Sequence, residues 1–171
     1  VEWSLMAIHA TERLTNVRAR LGEWLDALTI TGTPQIVHDG APLSRVDDAT
    51  GWVKVTLEPL PEFHAGLGDG VDLYGSAVLL ILDVFWPSGE DGRAGYNAHD
   101  IEKATDDICY GMRRMSLTFL DYSSTPASPV DTTTARLRSS PGTLSRVRIP
   151  TTDSYDRRRV TSQVHWMAQH S

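Results

Sequence analysis

The sequence predicts an α+β fold: a mainly antiparallel β-sheet with two helices packed on one face, plus a long Ser/Thr/Pro-rich arm or loop. Three observations carry this. Two segments, near residues 10–28 and 97–112, repeat apolar residues at helical spacing. Three others, near 52–57, 73–86 and 160–166, alternate or stay apolar as strands do. The order is helix, two or three strands, helix, a polar stretch and two strands, which suits helices gathered on one side of an antiparallel sheet. With 171 residues, 40% hydrophobic and 22% charged, the chain 1–171 reads as one globular domain with a sizeable core.

The first helix places Leu14, Val17, Leu21, Trp24, Leu25 and Leu28 on one stripe and Arg13, Arg18, Arg20, Glu23 and Asp26 on the other, with Thr11 as its N-cap. Gly32 and Pro34 end it, and "PQIVHDG" suits a short strand. In "GWVKVTLEPLP" the apolar Trp52, Val53, Val55 and Leu57 surround Lys54 and Thr56, a strand stopped by Pro59 and Pro61. The glycine-rich "EFHAGLGDGVDLYG" reads as a mobile hairpin loop. Gly66, Gly68 and Gly70 invite a phosphate-loop reading, but no Lys-Ser/Thr pair follows them.

The densest apolar run, "AVLLILDVFWPSGEDG", contains a strand from about Leu73 to Trp86. One face offers Val78, Leu80, Leu82, Val84 and Trp86, all apolar; the other offers Ala77, Leu79, Ile81, Asp83 and Phe85. An unpaired buried carboxylate is costly, so Asp83 belongs on the less perfectly covered side. Asn97 is placed to cap a second helix through about Met112, with Ile101, Ala104, Ile108 and Met112 inward and Glu102, Lys103, Asp106 and Asp107 wet. Residues 122–143 hold 13 Ser, Thr or Pro in 22 and predict an extended loop or arm. At the end, "SRVRIP" and "DRRRVTSQVHWMA" suggest two strands, the second with Val160, Ser162, Val164 and Trp166 on one side. Arg157, Arg158 and Arg159 enter that strand, and alternation sends Arg158 to the opposite side from its neighbours.

The net charge of −6 conceals an asymmetry. Residues 1–112 carry 7 basic and 18 acidic residues, a balance of −11; residues 113–171 carry 9 basic and 4 acidic, a balance of +5. Fourteen of the 16 basic residues are arginine, suited to bidentate pairing with carboxylates. This fits either ordinary surface charge or a molecule whose basic part meets the acidic part of a neighbouring copy. Nucleic-acid binding is disfavoured, because an acidic protein repels phosphate at long range. No apolar run approaches a membrane span, and the first residues lack the pattern of a secretory signal. The single cysteine, Cys109, fits a reducing cytosol and reads as a small buried hydrophobe within a helix.

Nothing in the residues marks an enzyme. His9, His38, His64, His99, His165 and His170 are scattered with no metal-ligand spacing, so no metal or cofactor is expected. There is no G-x-S-x-G elbow. His99-Asp100 reads as dipole and cap chemistry at a helix start.

The pattern as a whole resembles the bacteriophage tail terminator family, neck proteins of siphophages. The parts that carry the resemblance are the helix "TERLTNVRARLGEWLDAL", the strand "WVKVTLEPLP" and the loop "LGDG" leading to "AVLLILDVFWPSGEDG". The helix "AHDIEKATDDICYGM" and the closing strand "RRRVTSQVHWMA" complete it, over roughly Glu12 to Ala168. The stretch 122–143 is longer than the family pattern leads one to expect. The resemblance implies a structural virion protein assembled in the host cytoplasm and located at the tail or neck. Such a protein caps the tail tube as a homohexameric ring, ends tail polymerisation and joins the tail to a head-tail connector or stopper protein. DNA would pass through the lumen without specific binding, and no membrane is involved. In that picture Asp83, Arg157, Arg158 and Arg159 are candidate subunit-interface or lumen residues. Asp83 would face the lumen or meet an arginine across a subunit boundary, with an internal pair as the third placement. The alternatives are another neck or tail component, such as a head-completion or tail tube protein, and a small host α+β domain with binding or hydrolytic function.

Overall fold

A computed structural model describes residues 14–41, 51–61, 63–67, 71–87, 94–118, 120–122, 128–129, 136–151 and 155–170. Its architecture is α+β: a mixed, mostly antiparallel sheet with two helices on one face. The first helix, α1, spans Leu14–Ala27. Its predicted stripe points into the core, with Val17, Leu21 and Leu25 buried and Leu14, Trp24 and Leu28 packed against them. The proposed cap, Thr11, lies outside the described residues. After α1 the chain reverses through Gly32 and Thr33, both at positive φ. Strand β1, Gln35–Val37, then pairs in parallel with β2, Trp52–Pro59.

Strand β3, Phe63–Leu67, and the 17-residue β4, Val71–Pro87, are antiparallel partners. The glycine-rich stretch is therefore a hairpin whose strands run through it, with Gly66 opposite Asp72, and residues 68–70 lie outside the described residues. β4 is the axis of the sheet: β2 and β3 line one of its edges, and the 16-residue β10, Tyr155–His170, follows the other from Pro87 to Asp72. Its predicted apolar face is the core. Val78, Leu80, Leu82, Val84 and Trp86 are 0–7% exposed, beside Val53, Val55 and Leu57 of β2 and Val160 and Val164 of β10. The Trp86 indole lies so close to Gly32 and Gly51 that a Cβ at either would stand 2.3–2.5 Å from its ring. Only glycine fits beside it.

The second helix, α2, spans Ala94–Arg113 and begins earlier than expected. Asn97 is thus inside the helix and not its cap, and His99-Asp100 falls in its second turn, away from the terminus. The predicted stripe of Ile101, Ala104, Ile108 and Met112 is fully buried, and Cys109 is buried beside it. Burial raises the Cys109 thiol pKa. Asp107, expected to be wet, is half-buried: its Oδ2 accepts hydrogen bonds from the backbone N–H (2.8 Å) and hydroxyl (2.7 Å) of Thr31, tying the chain after α1 to α2.

The polar stretch 122–143 departs most from expectation. Short strands β5, Ser116–Thr118, β6, Leu120–Asp121, and β7, Ser128–Pro129, precede β8, Arg136–Ser139. β8 lies between β10 and β5, so residues 136–143 are not an arm but part of the sheet and a 3-10 turn at Pro141–Thr143. Leu137 is fully buried, and the Ser139 and Ser162 hydroxyls meet at 2.5 Å beneath the sheet. One inward leucine and a satisfied serine pair let this polar sequence join the core. Residues 123–127 and 130–135 lie outside the described residues. Strand β9, Ser145–Ile149, pairs with the start of β10.

Candidate functional site

The four residues singled out by sequence gather at one end of β4 and β10, on both sides of the sheet. Asp83 pairs across the ladder with Arg159, and Lys54 of β2 stands opposite it on the other edge. Alternation puts Arg157 and Arg159 on the Asp83 face and Arg158 on the helix face, as expected.

Asp83 is 4% exposed, and two arginines of β10 close on it. Arg157 donates from Nε to Oδ1 at 3.3 Å and from Nη2 to Oδ2 at 2.8 Å. Arg159 donates from Nε to Oδ1 at 2.9 Å and from Nη2 to Oδ2 at 3.0 Å. Two guanidinium forks thus clamp one carboxylate, and their stems shield it from water. Burial alone would push the carboxyl pKa up; the hydrogen bonds from Arg159 and Arg157 outweigh it and hold the value below the usual range. The same hydrogen bond raises the pKa of Arg159.

Arg157 also lies over the Phe85 ring, 5.2 Å from its centroid. Phe85 stacks on Trp52 at 4.8 Å, and Tyr155 meets Trp52 edge-on at 4.7 Å. The face away from the helices therefore carries aromatics, two arginines and a lysine around one carboxylate. On the other side, buried Arg158 donates from Nε to Glu102 of α2 at 2.6 Å. Arg146 of β9 pairs with Glu102 and Asp106 of the same helix. All three consecutive arginines are thus engaged within the chain, and Asp83 has an internal pair with two of them.

A second feature was not visible in the sequence. A groove of about 390 Å³ opens between α1, strand β2 and the turn after β1 at His38 and Asp39, floored by Leu21, Val55 and Leu57. Its rim is ionic. Arg18 of α1 pairs with Asp39 at 2.9 Å, and Asp26 with His38 at 3.0 Å. Glu23 accepts hydrogen bonds from Arg20 and from the Tyr122 hydroxyl. Burial, and then that bond to a carboxylate, pushes the Tyr122 pKa up to about 12. Asn16, a polar residue within the apolar stripe of α1, accepts the Tyr122 backbone N–H at 3.2 Å. Its place next to Val17 was the one signal that something polar docks on that helix.

The Ser140 hydroxyl lies 2.7 Å from Nδ1 of His165. Together with the Ser140 N–H bond to the Gln163 carbonyl at 2.8 Å, it anchors the turn between β8 and β9. No helix among the described residues is long and apolar enough to cross a membrane. The chain matches no protein-family model and no curated protein sequence.

Proposed function

We propose that this chain is a bacteriophage tail terminator: a structural protein that caps the tail tube as a hexameric ring, ends tail polymerisation and offers the joining surface to the head. The observation that carries the reading is the way the segments behind the resemblance assemble. Helix α1, strand β2, the long β4, helix α2 and the closing β10 form one sheet with both helices on one side. Both described helices lie on one side, so neither covers the opposite sheet face, which suits contacts with other subunits. Its partners on this reading are copies of itself, the tail tube protein and a head-tail connector or stopper protein, at the neck of the virion. An excess of fixed negative charge suits a channel that DNA slides through without sticking.

The test is electron microscopy of the purified protein mixed with tail tubes, alongside light scattering on a sizing column. Six-subunit rings at tube ends are the expected result. An open polymer would turn the reading to a tube protein, and a stable monomer that ignores tube ends would overturn it in favour of a small binding or hydrolytic domain.

A further inference from the structure

We propose that the sheet face opposite the helices docks an acidic amphipathic helix of a partner protein. The helix lies along β4, with its apolar stripe on that strand and its carboxylates toward the cations on either side. Strand pairing fixes what the face carries. Lys54 of β2, Asp83 of β4, Arg159 of β10 and Val147 of β9 form one row across four strands, and Trp52, Phe85, Arg157 and Ile149 form the next. Along β4 the face shows Ala77, Leu79, Ile81 and Phe85, each part-exposed, whereas Val78, Leu80, Leu82 and Val84 on the helix side are dry. β8 adds Arg136 and Arg138, which alternate with the buried Leu137 and Ser139 and so point the same way as Arg159.

The charge of this face runs against that of the chain. Among the described side chains of β2, β4, β8, β9 and β10 it holds five cations, Lys54, Arg136, Arg138, Arg157 and Arg159, and two carboxylates, Glu58 and Asp83, in a protein of net charge −6. Arg157 and Arg159 share the single carboxylate of Asp83. Both reach it through Nε and Nη2, which leaves the Nη1 end of each guanidinium open. Lys54, Arg136 and Arg138 make no ion pair or side-chain hydrogen bond among the described residues. An apolar strip one strand wide, with uncompensated cations on both margins, calls for a cover that is apolar along its middle and acidic at its sides. From Ala77 to Phe85 the strip runs about 26 Å at about 3.3 Å per residue. A helix of about 18 residues has that length. Its stripe fits the strip, and Glu or Asp beside the stripe fits the margins. Nucleic acid fits less well, because phosphates offer the apolar strip nothing and the net charge of the chain repels a polyanion at long range. This partner is additional to the terminator reading and holds whether or not the chain forms rings.

Isothermal titration of the full chain tests it. The probe is a synthetic helix of about 18 residues with a leucine stripe flanked by glutamates, and the control has lysines in their place. The glutamate peptide should bind, more weakly as salt rises, and the lysine peptide should not. Arg136→Glu with Arg138→Glu should weaken binding by about tenfold and Lys54→Gln by about twofold. Lys103→Glu, a charge reversal on the exposed side of α2, should leave it unchanged. Circular dichroism of all these variants should match wild type, because the replaced side chains are exposed. No binding, equal binding of the two peptides, or a loss with Lys103→Glu as large as with the arginine pair would overturn the inference. Oligothymidine that binds more tightly than the glutamate peptide through the same arginines would give the face to nucleic acid and overturn it too. So would a wild-type oligomer that Arg136→Glu with Arg138→Glu takes apart, since the cover would then be a second copy.

Discussion

The two faces of β4 solve opposite problems with the same backbone. Toward the helices, Val78, Leu80, Leu82, Val84 and Trp86 are excluded from water by other apolar side chains. Away from the helices, Asp83 is as dry as Trp86, but two arginines from the neighbouring strand exclude the water. Burial by hydrophobes is non-directional and tolerates exchange of one apolar group for another. Burial by guanidinium forks is directional, and losing one partner leaves charges facing each other. Low exposure is therefore not a single physical state, and the two faces should respond differently to substitution, pH and salt.

The sharpest contrast should come from introducing the same group on the wrong side. Val84→Asp puts a carboxylate among apolar residues, where Arg158 opposite it in the ladder is already bound to Glu102, at a cost of several kcal/mol. Little soluble folded protein is expected on expression. Asp83→Ala, one residue away, should cost about 2–3 kcal/mol by leaving Arg157 and Arg159 side by side, partly relieved because both reach solvent. Denaturant unfolding measures it, and equal damage from both substitutions would erase the distinction between the faces.

Acid should separate the faces without any change of shape. The Asp83 pKa is lowered by folding, so its contribution is present above the unfolded carboxyl value of about 3.9 and is lost as pH falls through its folded value. The stability gap between wild type and Asp83→Asn should narrow in that acid range, whereas Leu82→Ala should show a gap set by packing and indifferent to this titration. A gap that widens in acid would contradict the clamp.

Smaller effects are expected at the groove. Tyr122→Phe removes the hydroxyl that Glu23 accepts, worth about 0.5–1 kcal/mol. Its folded pKa of about 12 lies above the unfolded value of about 10, so this contribution is full below 10 and disappears as pH rises through about 12. Ultraviolet titration should show one late-ionising tyrosine fewer in Tyr122→Phe than in wild type. The smallest effect belongs to Arg146→Ala. Its pairs with Asp106 and Glu102 are half-exposed, and melting should change by about 0.5 kcal/mol or less.

The sequence by itself determined which way each long element faces. The stripes of α1 and α2 and the alternation of β4 and β10 are set by backbone periods of 3.6 and 2, which every residue in a long element reports together. For that reason Val84 and Asp83, or Arg158 and Arg159, could be assigned to opposite sides without knowing the fold. Tertiary structure alone decided what each side meets. Asp83 lies 74 and 76 residues from its two arginines, and only the register of β4 against β10 brings them together. Leu137 sits in a stretch too polar and too short to show a period, yet becomes core because β10 and β5 flank it. The bond from Thr31 to Asp107 and the groove beside Tyr122 arise in the same way, from groups distant in sequence. A local period is written into consecutive residues; a partner across the sheet is not, because the free energy that selects it exists only once the strands have met.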